Sequence, residues 1–212
     1  FNNYWGRDTF ISLPALWATG EWEEAREILL SFSERQNRDR RFGVMGRIPN
    51  QVTLGNVTYN TVDGTPWYVK SIWDLYRHMG ERDLIQRRLF ADAFWATRGG
   101  FETADSLRFL THGDQETWMD ASAGPGREWT PRGNRAAEVQ GLWYEQLKTT
   151  GNIAAEIVRV PSQARTEYLD PADQLVPGSH REESGVVVEI PVDAVEDGQP
   201  DPAGLHLDEH RR

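Results

Sequence analysis

Aromatic residues are confined to one part of this chain. All nine Trp lie between Trp5 and Trp143, and after Tyr144 the only aromatic residue is Tyr168. Large aromatic side chains supply much of the area that a folded domain buries, so we expect the compact domain in residues 1–157. The remaining residues, 158–212, are rich in Pro, Gly, Asp and Glu. This composition predicts an irregular acidic tail that is disordered or unrelated to the domain before it.

The net charge of −10 is just as uneven. Residues 161–212 carry 12 acidic and 4 basic side chains, whereas residues 1–160 carry 21 acidic and 19 basic ones. Such a chain lacks the basic face with which proteins bind nucleic acids. No apolar run approaches the roughly 20 residues that span a bilayer. We therefore expect neither a nucleic-acid nor a membrane partner.

Cysteine and histidine usage excludes further classes. The chain has no Cys, and its five His form no HxH or HExxH group. These counts exclude a disulfide framework and a thiolate nucleophile, and they argue against a metal site. No secretory signal pattern follows Phe1, which favours a cytoplasmic location.

Periodic apolar residues predict an all-α body. A helical stripe runs from Glu21 to Gln36, and Asp8 is a candidate N-cap for a short helix. Thr65 and Pro66 have the residue types of an N-cap and a first helical position. No convincing strand is found in this part of the sequence. The predicted helices cover residues 9–19, 21–36, 65–80, 83–97 (ending at Gly99-Gly100) and 134–150 (ending at Gly151).

Three short clusters combine a carboxylate with Trp or Tyr at or near a predicted helix start. They are YWGRDT at 4–9, YNTVD at 59–63 with Trp67, and ETWMD at 116–120. A pyranose ring stacks its apolar face on an aromatic side chain, and its hydroxyls suit planar groups such as those of Asp and Arg. Glycoside hydrolysis also requires two carboxyl groups. The clusters therefore favour a saccharide site.

Each cluster also has a purely structural interpretation. Asp8 can cap a helix and pair with Arg7. Asp63 can be a turn residue before Thr65. Trp118 can belong to the core, and Trp143 lies on an apolar helical stripe that favours a core position. Composition alone leaves these alternatives open.

Longer sequence motifs contain these clusters and follow one another along the chain. They are WGRDTFISLPAL at 5–16, EAREILLSF at 24–32, GRIPN at 46–50, YNTVDGTPWYV at 59–69, ETWMDA at 116–121 and TPRGNRAAEVQGLWYEQL at 130–147. With these motifs the sequence resembles the C-terminal glucosidase domain of glycogen-debranching enzymes, the amylo-α-1,6-glucosidase family. Several of these motifs contain Trp, a rare residue, so their combination is far more specific than any single motif.

The resemblance implies an all-α fold that forms part of an (α/α)6 toroid or barrel of the six-hairpin glycosidase type. It also implies release of glucose, with inversion and without a cofactor, from α-1,6-linked branch points of glycogen or limit dextrin. The expected partner is thus a branched α-glucan or oligosaccharide. Two alternatives stay open, a glucoamylase-like α-glucosidase and a non-catalytic glucan-binding remnant.

The resemblance further assigns roles to individual residues. Asp120 corresponds to the family's general acid, which protonates the glycosidic oxygen. No residue matches the general base, so the chain is interpreted as an incomplete copy of the domain whose activity is an open question. The residues expected to bind the sugar are Trp5, Arg7, Asp8, Asn60, Asp63, Trp67, Trp118, Glu138 and Trp143.

Overall fold

A computed structural model describes residues 3–79, 84–124 and 127–159, with the backbone alone for residues 84–86. The chain divides into two compact units, Phe1–Asp170 and Pro171–Arg212, and all described residues belong to the first. The predicted acidic tail therefore lies outside the described residues, apart from its first two positions.

Helices dominate the described residues, which confirms the all-α prediction; the (α/α)6 toroid stays a prediction. A 3₁₀ turn at Arg40–Phe42 and a small antiparallel sheet complete the architecture. The helices are α1 (Gly6–Thr19), α2 (Trp22–Ser33), α3 (Gly64–Met79), α4 (Leu84–Thr103) and α5 (Ala137–Arg159), and the strands are β1 (Tyr4–Trp5), β2 (Gln51–Thr53) and β3 (Asn56–Thr58). None of the helices in the described ranges is long and apolar enough to cross a membrane.

Helix α3 lies at the centre of the helical packing, in contact with each of the other four helices. Its apolar stripe is buried because residues three and four positions apart share one helix face. Tyr68, Val69 and Ile72 are almost fully buried in the main core. That core also contains Phe10, Leu13, Ala25, Leu29, Phe32, Ile48, Leu75, Leu89, Phe90, Ala93, Ala96, Ile153 and Ile157.

A second, smaller core joins α5 to the loop before α3. It consists of Val62, Leu110, Ala136, Val139 and Trp143. The Trp143 indole N–H donates to the backbone carbonyl of residue 108, and the ring packs edge-to-face on the ring of residue 101. Trp143 thus has the core position that its helical stripe indicated.

The predicted end of the fourth helix at Gly99-Gly100 is wrong, because α4 continues to Thr103. Both glycines serve close packing. A Cβ on Gly99 would lie 1.8 Å from the carbonyl oxygen of Met45, and one on Gly100 would lie 2.5 Å from the Trp143 ring. Glycine here lets two neighbours approach the helix, and the resulting contacts outweigh its poor helix propensity.

The predicted end of the fifth helix at Gly151 is also wrong. α5 runs on to Arg159, since Ile153 and Ile157 continue its apolar stripe into the main core. The predicted N-cap at Thr65 is wrong as well, because α3 begins at Gly64, two residues before the predicted first helical residue Pro66. Its Thr65 hydroxyl lies inside the helix and accepts a hydrogen bond from the Ile48 amide at 3.0 Å.

The sheet was not predicted, and it positions the start of α1. β1 pairs with β2 in the register Tyr4↔Val52, and β2 pairs with β3 through a turn at Gly55, whose φ is +92°. Positive φ favours glycine at this turn. The Gly6 amide donates to the Asn50 carbonyl at 2.8 Å, which continues the β1–β2 contact into the first residue of α1.

Candidate active site

The Arg7 side chain joins three segments that are far apart in sequence. Its Nε lies 2.8 Å from Asp63 Oδ1, its Nη1 lies 3.1 Å from Asp120 Oδ2, and its Nη2 lies 2.8 Å from Thr61 Oγ1. The sequence-predicted residues Arg7, Asp63 and Asp120 therefore form one cluster, which we call the Arg7 cluster together with Thr61. Arg7 itself is buried.

Two glycines allow Arg7 to reach this position. A Cβ on Gly6 would lie 2.1 Å from the Pro49 carbonyl oxygen. Only glycine at position 6 therefore lets the start of α1 lie this close to Pro49, which precedes β2. A Cβ on Gly64 would lie 3.1 Å from Thr61 Cγ2 and 3.6 Å from the Arg7 amide nitrogen. The chain thus packs the first turn of α1 directly against the first turn of α3.

Asp63 directly precedes α3 and is almost fully buried, with 3% of its side chain exposed. Its Oδ1 accepts hydrogen bonds from both Arg7 and the Thr61 hydroxyl. Burial lowers the pKa of Arg7, but the charges and hydrogen bonds of Asp63 and Asp120 outweigh burial and raise it. Arg7 is therefore a permanent cation that neutralises a buried carboxylate.

Asp120 differs from Asp63 in its access to solvent. Its side chain is 38% exposed, so a ligand can reach the carboxylate. The preceding Trp118 is 58% exposed, which contradicts the interpretation of this ring as core. The cluster therefore combines the buried carboxylate of Asp63 with the accessible carboxylate of Asp120, and the exposed ring of Trp118 lies in the same segment as Asp120.

The segments that carry Asp63 and Asp120 pair with each other. The Val62 amide donates to the Glu116 carbonyl at 2.8 Å, and the Thr61 hydroxyl lies 3.4 Å from the same oxygen. These contacts set residues 61–63 beside residues 116–120, which explains how the second and third sequence clusters meet.

Glu138 on α5 is connected to the Asp120 segment through Arg132. The Arg132 guanidinium contacts the Glu138 carboxylate and lies 2.7 Å from the sulfur of Met119. The sequence analysis did not select Arg132, although it lies within the TPRGNRAAEVQGLWYEQL motif. Only the fold shows that this arginine links α5 to the residue next to Asp120.

The other predicted sugar-binding residues lie in different environments. Asp8 is exposed in the first turn of α1 and does not pair with Arg7; the N-cap position is Trp5, which makes no side-chain cap hydrogen bond. Trp5 is half-buried, and Trp67 is half-buried against the main core. Asn60 is exposed, and its side-chain oxygen accepts a hydrogen bond from the side-chain nitrogen of Asn50 at 3.4 Å.

The chemistry of this arrangement suits a neutral polyhydroxyl ligand. A guanidinium has five N–H donors, and three of those of Arg7 are engaged within the cluster. Asp120 adds an accessible acceptor or acid. In the described ranges, no three His, Asp or Glu side chains are placed to hold a metal ion.

Comparison with known proteins decides the family. The family model described as amylo-alpha-1,6-glucosidase matches residues 1–180. The chain belongs to the amylo-alpha-1,6-glucosidase family. Neither a curated protein nor a solved structure matches the chain. The amylo-alpha-1,6-glucosidase match includes the whole Arg7 cluster and continues past Ile157, and membership implies a glycosidase-related protein with a glucan as its class of substrate.

Proposed function

We propose that the Arg7 cluster belongs to the active site of a glycoside hydrolase that releases glucose from α-1,6-linked branch points of glycogen or limit dextrin, with inversion. One observation carries the proposal. Arg7 joins two carboxylates from distant segments, and the one that matches the family's general acid, Asp120, is the accessible one. Family membership supports the class of substrate and bond.

In this proposal Asp120 protonates the glycosidic oxygen while the bond to the anomeric carbon breaks. In the structure its Oδ2 accepts a hydrogen bond from Arg7. Arg7 contacts Oδ2 only, so in this proposal the other carboxyl oxygen, Oδ1, carries the proton that is given to the glycosidic oxygen.

Asp63 takes a positioning role. Its Oδ1 is engaged by Arg7 and Thr61, and its burial keeps it away from water. An inverting glycosidase needs a second carboxylate roughly 6.5–9.5 Å from the acid to activate water, and we assign no residue to this base.

For the sugar itself, we propose that Arg7 donates to its hydroxyls and that Trp118 offers a stacking face. Trp5, Asp8, Asn60 and Glu138 are proposed as further contacts. Trp67 and Trp143 pack against the two cores, so we propose that they support the site from behind.

A second candidate function is glucan binding without hydrolysis. The position of Asp63 favours it, because this second carboxylate of the Arg7 cluster is buried and engaged by Arg7 and Thr61, and is therefore not free to activate water. Under this alternative the cluster binds sugar hydroxyls and performs no proton transfer.

The test is glucose release from a glucosyl-branched limit dextrin by the full chain and by Asp120→Asn. We expect release by the parent chain and a loss of about 10²–10⁴-fold in the variant, as for removal of a general acid. Asp74→Asn is the matched control, since Asp74 is also ion-paired, with Lys70, but lies on α3 away from the cluster. Inversion predicts that β-glucose appears first in the NMR spectrum.

Linear maltooligosaccharides as substrates distinguish this reaction from a glucoamylase-like one. A folded chain that binds limit dextrin but releases no glucose contradicts the hydrolase and supports glucan binding.

A further inference from the structure

A cleft of about 740 Å³ lies next to the two loop segments that carry Asp63 and Asp120 of the Arg7 cluster. It lies between the 3₁₀ turn, the C-terminal end of α4, residues 59–60 and the loop at 111–116. This volume is within the range of pockets that bind small molecules. The groups that matter for what it binds are Phe42, Arg47, Asn60, His112, Glu116 and Asn134.

An ion pair forms the polar part of this cleft. Arg47 Nη1 lies 2.6 Å from Glu116 Oε1 and 3.2 Å from the Tyr59 carbonyl oxygen, and the Gly113 amide donates to Glu116 Oε2 at 2.8 Å. Burial raises the pKa of Glu116, but the hydrogen bond and charge of Arg47 outweigh burial and lower it. Glu116 is therefore ionised near neutral pH, and Arg47 balances its charge.

The remaining polar groups of the cleft are His112, Asn60 and Asn134. Both ring nitrogens of His112 are engaged by backbone groups, since Nδ1 lies against the Gly113 carbonyl oxygen and Nε2 accepts from the Ala136 amide. The Asn134 side chain makes no hydrogen bond within the described part of the chain, and Asn60 makes only the long one to Asn50. A lining with a neutral ion pair and free amides suits an uncharged ligand with many hydroxyls rather than an anion or a cation.

Phe42 adds an apolar face to these polar groups. Its side chain is 63% exposed. The turn that carries it is held by the buried Asn37, which donates to the Val44 carbonyl at 2.9 Å and accepts from the Asp39 amide at 2.9 Å. The ring is thus presented on a preorganised loop, and binding there costs little ordering of the chain.

We propose that this cleft is a second saccharide-binding site, which takes an α-glucan chain whose rings stack on Phe42 and bind the Arg47–Glu116 pair and Asn134, while Asn60 lies between this site and that of the Arg7 cluster. The choice of an α-glucan rests on the proposed function. It is supported by continuity, because the Glu116 side chain faces the cleft while its carbonyl binds the Val62 amide of the Arg7 cluster segment. One branched glucan can therefore contact both places.

The experiment is titration of maltotetraose into the full chain, followed by calorimetry and by amide chemical shifts. We expect binding that shifts the amide signals of Gly43 and Gly113, and a loss of affinity of about tenfold or more in Phe42→Ala, because a stacked ring contributes on the order of a tenfold factor. Asn134→Ala is expected to weaken binding less. Phe109→Ala is the matched control, since Phe109 is also an exposed phenylalanine but does not line the cleft.

The outcomes separate this proposal from the proposed function. Equal affinities of the parent, Phe42→Ala and Phe109→Ala, or no binding of maltotetraose by the folded parent, overturn the second site even if limit dextrin is hydrolysed. Binding that depends on Phe42 and persists in Asp120→Asn supports the second site even if no glucose is ever released.

Discussion

Arg7 and Asp120 are separated by 113 residues in the sequence, and their side chains are joined by a hydrogen bond of 3.1 Å. The same guanidinium binds Thr61 and the buried Asp63. One arginine therefore holds the first turn of α1 against two loops, and the accessible carboxylate is positioned by a residue that also neutralises the buried one.

The first prediction concerns this arginine. Arg7→Met is expected to lower the free energy of unfolding by about 3–5 kcal/mol, because Asp63 would stay buried without its cation. The free energy of unfolding of Arg7→Lys should lie between those of the parent and Arg7→Met, since the ammonium group of lysine cannot bind three partners as the planar guanidinium does. Urea denaturation measures both.

Arg40→Met is the control for this series. Arg40 is 65% exposed and paired with Glu102, and loss of an exposed pair is expected to cost about 0–1 kcal/mol. Equal losses in Arg7→Met and Arg40→Met would refute the bridging role of Arg7.

The second prediction is a pH dependence that arises from Glu116. Its pKa in the folded chain lies below the ordinary value of 4.5, so its stabilising effect is complete above that value and is lost as the pH falls through the folded pKa. Glu116→Gln should therefore cost about 1–3 kcal/mol near neutral pH and progressively less in acid. Urea denaturation at a series of pH values gives this difference.

The exposed Glu23, which pairs with Arg26, provides the control for the pH series. Glu23→Gln should have a small effect at every pH. A stability difference between the parent and Glu116→Gln that stays constant from neutral to acid pH would contradict the role of the ionised pair.

The third prediction compares two helical glycines. Gly99→Ala should destabilise the chain by about 1–3 kcal/mol, because the new Cβ would overlap the Met45 carbonyl oxygen. Gly141→Ala should stabilise it by about 0.5–1 kcal/mol, since nothing lies within 4 Å of its Cβ position and alanine is the better helix former. Thermal unfolding should therefore show shifts of opposite sign, and shifts of the same sign would disprove the close packing at Gly99.

The fourth prediction concerns His112, whose Nε2 accepts from the Ala136 amide at 2.8 Å just before α5. His112→Ala is expected to cost about 1–3 kcal/mol, because this buried amide would lose its partner. Hydrogen exchange at residue 136 should accelerate in the variant. The exposed His78, which stacks on Trp22, is the control, and a comparable loss in His78→Ala would argue against a specific role for His112.

Local patterns in the sequence were sufficient for most of the helices. The apolar stripe of residues 21–36 predicted α2, because a helical period is visible within a single segment. The same reasoning failed at Gly99-Gly100 and at Gly151, where local propensity indicates a helix end. Contacts with Met45 and Trp143 in the first case, and burial of Ile153 in the second, carry the helices onward.

The sequence by itself determined the family, the helical class and the motifs that contain Arg7, Asp63 and Asp120, since all three follow from residue types and their local order. Only the tertiary structure decided that Asp63 is a buried partner of Arg7 rather than a turn residue, and that Trp143 belongs to a core while Trp118 is open. It also decided the β1–β2 pairing, because strands of two and three residues carry no readable period. These outcomes depend on contacts between segments that are far apart in sequence, 54 residues in the Arg7–Thr61 hydrogen bond, and no local pattern encodes which distant partner a side chain meets.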